Sequence, residues 1–140
     1  VYILECYLSI MRLSEPGYLS VLIDRTGMVW SSGFHSKTME DARKEISERY
    51  RKGGHFTRLT YPYWVIVKDD PHNYKPVGVR RVVDASSRIK KLRGKTVETV
   101  RKYIHKHPDP KLEAEFIKYV KKDFEKHKEE LERDYGKLKK

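Results

Sequence analysis

The spacing of the apolar residues changes partway along the chain. As far as Val83 they fall in short runs rich in β-branched and aromatic side chains, a pattern typical of strands. Beyond Asp84 they recur about every 3.6 residues, as on one face of an amphipathic helix. One helical segment interrupts the first part. The resulting order, βββαββ and then helices, predicts an α+β fold: a mixed or mainly antiparallel sheet of about five strands, one inserted helix and a C-terminal tail of two or three helices.

Turns and a proline set the limits of the predicted strands. The sequence Asp-Arg-Thr-Gly at residues 24–27 lies between two apolar runs and is typical of a tight hairpin. Pro62 cannot donate a hydrogen bond to a neighbouring strand, so the extended region 56–68 is expected to contain a firm strand only from residue 63. The predicted strands are residues 1–11, 18–24, 28–32, 63–68 and 77–83.

Capping residues set the limits of the predicted helices. Thr and Asp side chains accept hydrogen bonds from the first free amide groups of a helix. Gly53 and Gly54 are expected to end the first helix, because glycine readily adopts the conformation found at helix ends. The predicted N-caps and helices are Thr38 with residues 39–52, Asp84 with 85–93, Thr96 with 97–107, and Asp109 with a final helix that opens at Pro110.

The final helix carries an apolar stripe along most of its length. A helix of nearly 30 residues can extend beyond a small core, so we expect residues 110–138 to be able to pair with a second copy as a homodimer. A structural or assembly protein that uses this helix is therefore one hypothesis for the function. The stripe consists of Leu112, Phe116, Val120, Phe124, Leu131, Tyr135 and Leu138.

Size and composition limit the class of protein. A chain of 140 residues is expected to form one domain, with a sheet-containing core at residues 1–83 and a basic helical extension at 84–140. The single cysteine excludes an intramolecular disulfide, and no apolar run reaches the roughly 20 residues of a membrane span. An intracellular, cytoplasmic protein is expected, in the host cytoplasm if it is viral. The lack of Gln and the single Asn are typical of heat-adapted proteins, which fits an archaeal or viral source.

The positive charge is concentrated in one segment. The net charge is +11, and residues 80–110 contribute +7 of it with 10 basic and 3 acidic side chains. Phosphate backbones neutralise such a concentration well, because each neutralised phosphate releases condensed counterions. The sequence therefore predicts a protein that binds DNA or RNA through the phosphate backbone with little sequence specificity. The predicted contacts are Arg80, Arg81, Arg88, Lys90, Lys91, Arg93, Lys95, Arg101, Lys102 and Lys106, with Trp64 as an aromatic side chain that could stack on unpaired bases.

The order of elements up to Asp70 resembles that of the ribonuclease H-like family. That family places its fourth strand beside the first and holds two metal ions with acidic residues on the first strand, in the first helix and at the end of the fourth strand. The resemblance implies Glu45 or Glu48 as the helix acid and Asp69 or Asp70 as the acid of the fourth strand. Cys6 stands at the position of the first-strand acid, next to Glu5.

A metal-dependent nuclease is the alternative function. Carboxylates that converge on one or two divalent cations can activate a water molecule and stabilise the leaving oxygen of a phosphodiester. The candidate catalytic residues are Glu5, Glu45, Glu48, Asp69 and Asp70, and the candidate ligands of Mg²⁺ or Mn²⁺ are Asp69, Asp70 and His72. The competing interpretation of Asp69-Asp70-Pro71 is a turn that ends a strand.

Overall fold

A computed structural model describes residues 16–70, 72–73 and 75–138, without the side chains of residues 31–34, 137 and 138. It confirms the α+β class. The predicted first strand at residues 1–11, with Glu5 and Cys6, lies outside the described residues. The strands are β1 (Gly17–Ile23), β2 (Val29–Ser36), β3 (Tyr63–Asp69) and β4 (Val82–Ala85); the α-helices are α1 (Met39–Thr60), α2 (Val97–Lys106) and α3 (Pro110–Leu138); Val77–Val79 and Ser87–Leu92 are 3₁₀ helices.

The four strands form one sheet in the order β2-β1-β3-β4, and all three neighbouring pairs are antiparallel. β1 and β3 pair along their whole length, for example Leu19 with Val67 and Val21 with Val65. β3 therefore has β1 on one side and β4 on the other. In the ribonuclease H-like layout, the strand that corresponds to β3 lies beside the first strand, for which residues 1–11 are the predicted counterpart. The order of the sheet therefore differs from that layout, because both neighbours of β3 are other strands.

The hairpin between β1 and β2 forms where the sequence predicts it. The Asp24 carboxylate accepts hydrogen bonds from the amides of Thr26 and Met28, at 2.8 and 2.9 Å, and so closes the turn. Gly27 has a φ of 96°, which favours glycine. β2 continues beyond the predicted end at residue 32, because irregularities in the register with β1 let the pairing resume at His35 and Ser36.

Helix α1 begins at its predicted cap and ends later than predicted. Thr38 accepts a hydrogen bond from the amide of Asp41 at 3.1 Å. Gly54, with φ 59° and ψ −145°, interrupts the helix, which then resumes and continues to Thr60. The prediction of an extended segment from residue 56 is therefore wrong. Burial of Thr57 and Leu59 stabilises this extra turn, and Pro62 follows its end.

One face of the sheet packs on α1 through a small apolar cluster. Ala42 and Ile46 of the helix contact Leu22 and Ile66 of the sheet, and Ser20 donates a hydrogen bond to the carbonyl oxygen of Ala42. The residues that alternate with these along β1 and β3 are also fully buried, so the opposite face of the sheet is covered as well. These residues are Val21, Ile23, Val65 and Val67.

The region between β3 and α2 corrects two predictions. The predicted strand 77–83 is a 3₁₀ turn at Val77–Val79 followed by β4, and the predicted α-helix 85–93 is the 3₁₀ helix Ser87–Leu92. Asp84 caps no helix. It pairs with Ile66 in the sheet, and its buried carboxylate accepts a hydrogen bond from Nε of Arg43 at 2.7 Å. Sheet pairing thus outweighs the local capping tendency of Asp84.

The last two helices begin at their predicted caps. Thr96 accepts from the amide of Thr99 at 3.2 Å, and Asp109 from the amide of Lys111 at 3.0 Å. The chain divides into two compact units after Pro108, and α3 belongs to the second. Across the described ranges, no helix is both long enough and apolar enough to cross a membrane.

Candidate phosphate-binding site

A basic cavity lies at the C-terminal end of β3. Its volume is about 550 Å³, and we call it the β3-end pocket. Three cationic side chains, Lys68, Lys75 and Arg81, line it together with the buried Arg80. Among the described residues that line it, Asp70 is the one carboxylate. The remaining described lining residues are Asn73, Val79, Val82, Val83 and Gly94.

A largely buried cluster of three side chains, Asp69, Arg80 and His35, supports one wall of this pocket. One carboxylate oxygen of Asp69 accepts from Nη1 of Arg80 at 3.1 Å, and the other lies 2.7 Å from Nδ1 of His35. Since a carboxylate can only accept, His35 donates from Nδ1. Nε of Arg80 donates to the carbonyl oxygen of Lys75 at 2.8 Å, which ties the loop after β3 to the end of the strand.

The His35 ring is held tightly against β1. A Cβ atom on Gly17 would collide with the imidazole, so only glycine leaves room for the ring at that position. Nε2 of His35 is buried and has no hydrogen-bond partner among the described residues. The histidine therefore acts as a spacer between Gly17 and Asp69 and orients the carboxylate towards Arg80.

Backbone hydrogen bonds place Arg81 beside the turn that Gly94 forms. The amide of Val82 donates to the carbonyl of Lys95 at 2.9 Å, and the amide of Gly94 donates to the carbonyl of Val82 at 2.8 Å. The Arg81 guanidinium donates to the carbonyl of Gly94 at 2.9 Å. Gly94 has a φ of 85°, so the turn needs glycine. Arg81 is therefore fixed between the pocket and residues 93–95.

Five further cations of the segment 80–106 are exposed on the first unit, and we refer to this set as the basic surface. None of them has an acidic partner within the part of the chain that the structure describes. Lys102 and Lys106 lie one turn apart on α2, where they line a smaller cavity of about 210 Å³ beside the β1–β2 turn. The basic surface consists of Lys90, Arg93, Lys95, Lys102 and Lys106.

The other predicted cations are held by neighbouring groups. Arg80 is buried against Asp69. Arg101 donates to the carbonyl of Gly27 at 2.9 Å and to Glu98 at 3.0 Å, which attaches α2 to the hairpin. Nζ of Lys91 lies 4.6 Å from the centre of the Tyr103 ring, and that ring stacks on His107. Arg88 is exposed.

Among the described residues, the predicted acidic side chains do not form a metal site. On α1, Glu45 pairs with Arg49 at 3.7 Å and Glu48 with Arg51 at 2.7 Å. The hydrogen bond and charge of Arg51 lower the pKa of Glu48. Asp70 accepts from the amide of His72 in a turn at 3.0 Å. Within the described ranges, no group of three or more His, Cys, Asp and Glu side chains is placed to hold a metal ion.

The aromatic side chains are arranged differently from the prediction. Trp64 is partly buried and packs against the α1 cluster that contains Leu22 and Ile66. Trp30 is the exposed tryptophan, at 43%, and it stacks on Tyr61 with a centroid distance of 4.6 Å. Side chains alternate between the two faces of a strand, and this alternation along β2 could have indicated that Trp30 points outward. Lys68 and Lys75 were missed because each is an isolated cation in the sequence.

The chain was compared with protein-family models, with curated proteins and with solved structures, and none of the three comparisons found a match.

Proposed function

We propose that this protein binds nucleic acid through the phosphate backbone, with little sequence preference. The observation that supports this most is the basic surface, whose five exposed cations lie within 17 residues of the sequence and form no ion pair among the described residues. Some surface charges elsewhere in the protein form ion pairs, for example Glu40 with Lys44 and Glu48 with Arg51. Unpaired, clustered cations repel one another, and a polyanion relieves that repulsion.

The contacts within the first unit support a surface that is preformed. Arg93 and Lys95 flank Gly94, whose backbone is bonded to Val82 and Arg81. Lys102 and Lys106 project from α2, whose start is capped by Thr96 and whose side chain Arg101 is bonded to the hairpin. Cations on such fixed elements lose little backbone freedom when they bind phosphates. Lysine and arginine contacts of this kind position a duplex or strand without reading its bases.

The dependence of affinity on salt tests this proposal. If roughly six phosphates are neutralised, the logarithm of the association constant should fall with the logarithm of salt concentration with a slope near −5. Fluorescence anisotropy with unrelated 20-mers of DNA and RNA, between 50 and 300 mM NaCl, measures the slope and the sequence preference together. A slope near zero would overturn the proposal.

A charge-reversal variant locates the surface. The triple change Lys90→Glu, Arg93→Glu and Lys95→Glu is expected to weaken binding at least 100-fold at 100 mM salt. The matched control, Lys44→Glu, Lys52→Glu and Arg58→Glu on exposed positions of α1, changes the net charge equally and should weaken binding far less. Equal losses in the two triple variants would show that net charge alone governs binding and would contradict the proposed surface.

The exposed stripe of α3 favours self-association as a second candidate function. Five apolar side chains between Ile117 and Tyr135 are 45–67% exposed. Acidic residues Asp123 and Glu130 follow one edge of the stripe and lysines 121 and 128 the other, as helical spacing places them. Two parallel copies would thus bring acidic and basic edges together, whereas antiparallel copies would bring like charges together.

Light scattering of the full chain after size exclusion tests the dimer. We expect a mass near twice 16.7 kDa at 50 µM protein. The double change Phe124→Glu and Leu131→Glu should return the monomer mass. The control, Lys122→Ala with Lys126→Ala, alters the opposite side of the same helix and should leave the dimer intact. A monomer of the unchanged protein at 200 µM would refute this candidate function.

A further inference from the structure

We propose that the β3-end pocket binds a phosphate monoester, as found at the end of a nucleic-acid strand. The source of the ligand, a nucleic-acid strand, rests on the proposed function. The chemistry of the ligand, a phosphate monoester, rests on the pocket alone. The basic surface serves internal phosphates. The pocket, which is concave and lies beside the Gly94 turn of that surface, serves the terminal one.

The charge of the pocket matches a dianion. Lys68, Lys75 and Arg81 contribute three positive charges and Asp70 one negative charge, while the charge of Arg80 is neutralised by Asp69 behind the wall. The described lining therefore carries a net charge of +2. A phosphate monoester carries about −1.5 to −2 at pH 7, whereas an internal phosphodiester carries −1. The balance of charge thus favours the terminal group.

The cations of the pocket are held on fixed backbone. Lys68 lies near the end of β3, an inner strand of the sheet, and is paired with Tyr18. The backbone of Lys75 is fixed by the hydrogen bond from Arg80 to its carbonyl oxygen, and Arg81 is fixed by its bond to Gly94. These cations come from three separate segments and line one pocket. Such preorganisation is typical of binding sites rather than of ordinary charged surface.

The size and the apolar wall of the pocket accommodate more than the phosphate. A volume of about 550 Å³ falls within the range of small-molecule sites, roughly 300–1,000 Å³. Val79, whose side chain is 56% exposed, lies on the wall with Val82 and Val83. This wall offers an apolar surface to the sugar or base that carries the terminal phosphate.

Binding of strands that differ only in their terminal groups, with the fluorophore on an internal base, tests the proposal. Four otherwise identical single-stranded DNA 12-mers are compared by anisotropy at 150 mM salt: 5′-phosphate, 3′-phosphate, both phosphates, and hydroxyl at both ends. We expect at least one phosphorylated strand to bind 10-fold or more tightly than the hydroxyl strand. Equal affinities of all four strands would overturn the strand end as the source of the ligand, while the salt slope of the hydroxyl strand would still report on the proposed function.

Variants of the pocket provide the second readout. In Lys75→Gln and in Arg81→Gln, the ratio of affinities for phosphorylated and hydroxyl strands should fall to about 1; the ratio cancels any loss of general electrostatic binding. Lys102→Gln, on the basic surface, removes the same charge and should keep the ratio. Circular dichroism and melting curves establish that each variant is folded. A ratio that survives in both pocket variants would contradict the proposed site.

Calorimetry with small ligands separates the chemistry of the pocket from the source of its ligand. A nucleoside 5′-monophosphate and inorganic phosphate are titrated into the full chain and into Arg81→Gln. Binding of the nucleotide that Arg81→Gln abolishes, with no preference among the strands, would support the monoester site and overturn the strand end as its source. Binding of neither small ligand, together with equal strand affinities, would overturn the site itself.

Discussion

The carboxylate of Asp69 lies 3.1 Å from Nη1 of Arg80, whose side chain is only 8% exposed. The sequence predicts the first residue to be a metal ligand and the second to be a phosphate contact. In the structure the two residues neutralise each other at the end of β3, and His35 occupies the remaining carboxylate oxygen. The pair is therefore part of the frame that supports the β3-end pocket.

Loss of the Asp69 carboxylate should destabilise the fold. Asp69→Asn removes the carboxylate that pairs with the buried Arg80, and removing one partner of such a pair costs about 3 kcal/mol. Asp70→Asn, at the exposed neighbouring position, removes the same charge and should change the free energy of unfolding by less than about 0.5 kcal/mol. Urea denaturation measures both. Equal stabilities of the two variants would show that the Asp69–Arg80 pair is not structural.

The Arg43–Asp84 pair should contribute more to the free energy of unfolding than a comparable surface pair does. Asp84 is buried, with its side chain 4% exposed, and Arg43→Ala leaves it only the amide of Ala85 as a hydrogen-bond donor within the described residues. We expect a loss of about 2–3 kcal/mol in the free energy of unfolding. Arg51→Ala removes an arginine from the fully exposed Glu48 pair on the same helix and should have no measurable effect. Chemical denaturation of both variants measures the two changes in free energy of unfolding, and equal changes would contradict the prediction.

Tyr50 should make the protein sensitive to alkaline pH. Burial raises the pKa of Tyr50 above its ordinary value near 10. The unfolded chain then releases its proton before the folded chain does, so this contribution to stability is present below about pH 10 and is lost as the pH rises further.

Tyr50→Phe isolates that contribution. At pH 7 the variant should lose about 1 kcal/mol, because the Tyr50 hydroxyl donates to the carbonyl of Tyr61 at 2.6 Å. The difference in free energy of unfolding between the two proteins should shrink between pH 9 and 11. A difference that stays constant over this range would contradict the assignment.

Gly27 should tolerate alanine less well than Gly94. Both have a positive φ, which costs an L residue about 1 kcal/mol or more. A Cβ atom on Gly27 would in addition lie 2.5 Å from the carbonyl oxygen of Arg101, whereas nothing lies within 4 Å of one on Gly94. We expect Gly27→Ala to lower the free energy of unfolding by about 2 kcal/mol more than Gly94→Ala. Melting curves of the two variants test this, and equal losses would contradict it.

The interactions that the sequence predicts correctly are local. Thr38, Thr96 and Asp109 each cap a helix through an amide two or three residues away, and the Asp24 carboxylate closes its turn within four residues. Such contacts need no distant partner, so the residue types alone determine them. The α+β class follows from the period of the apolar residues, which is equally local.

The tertiary structure alone decided which residues meet across the chain. Asp84 looks like a helix cap in the sequence, and it lies in a strand because Ile66 and Arg43 are its partners, the latter 41 positions away. The helical turn before Tyr61 depends in the same way on the burial of Leu59. The β3-end pocket gathers Lys68, Lys75 and Arg81 from separate segments. The free energy of these arrangements comes from burial and sheet pairing between distant residues, which no local pattern records.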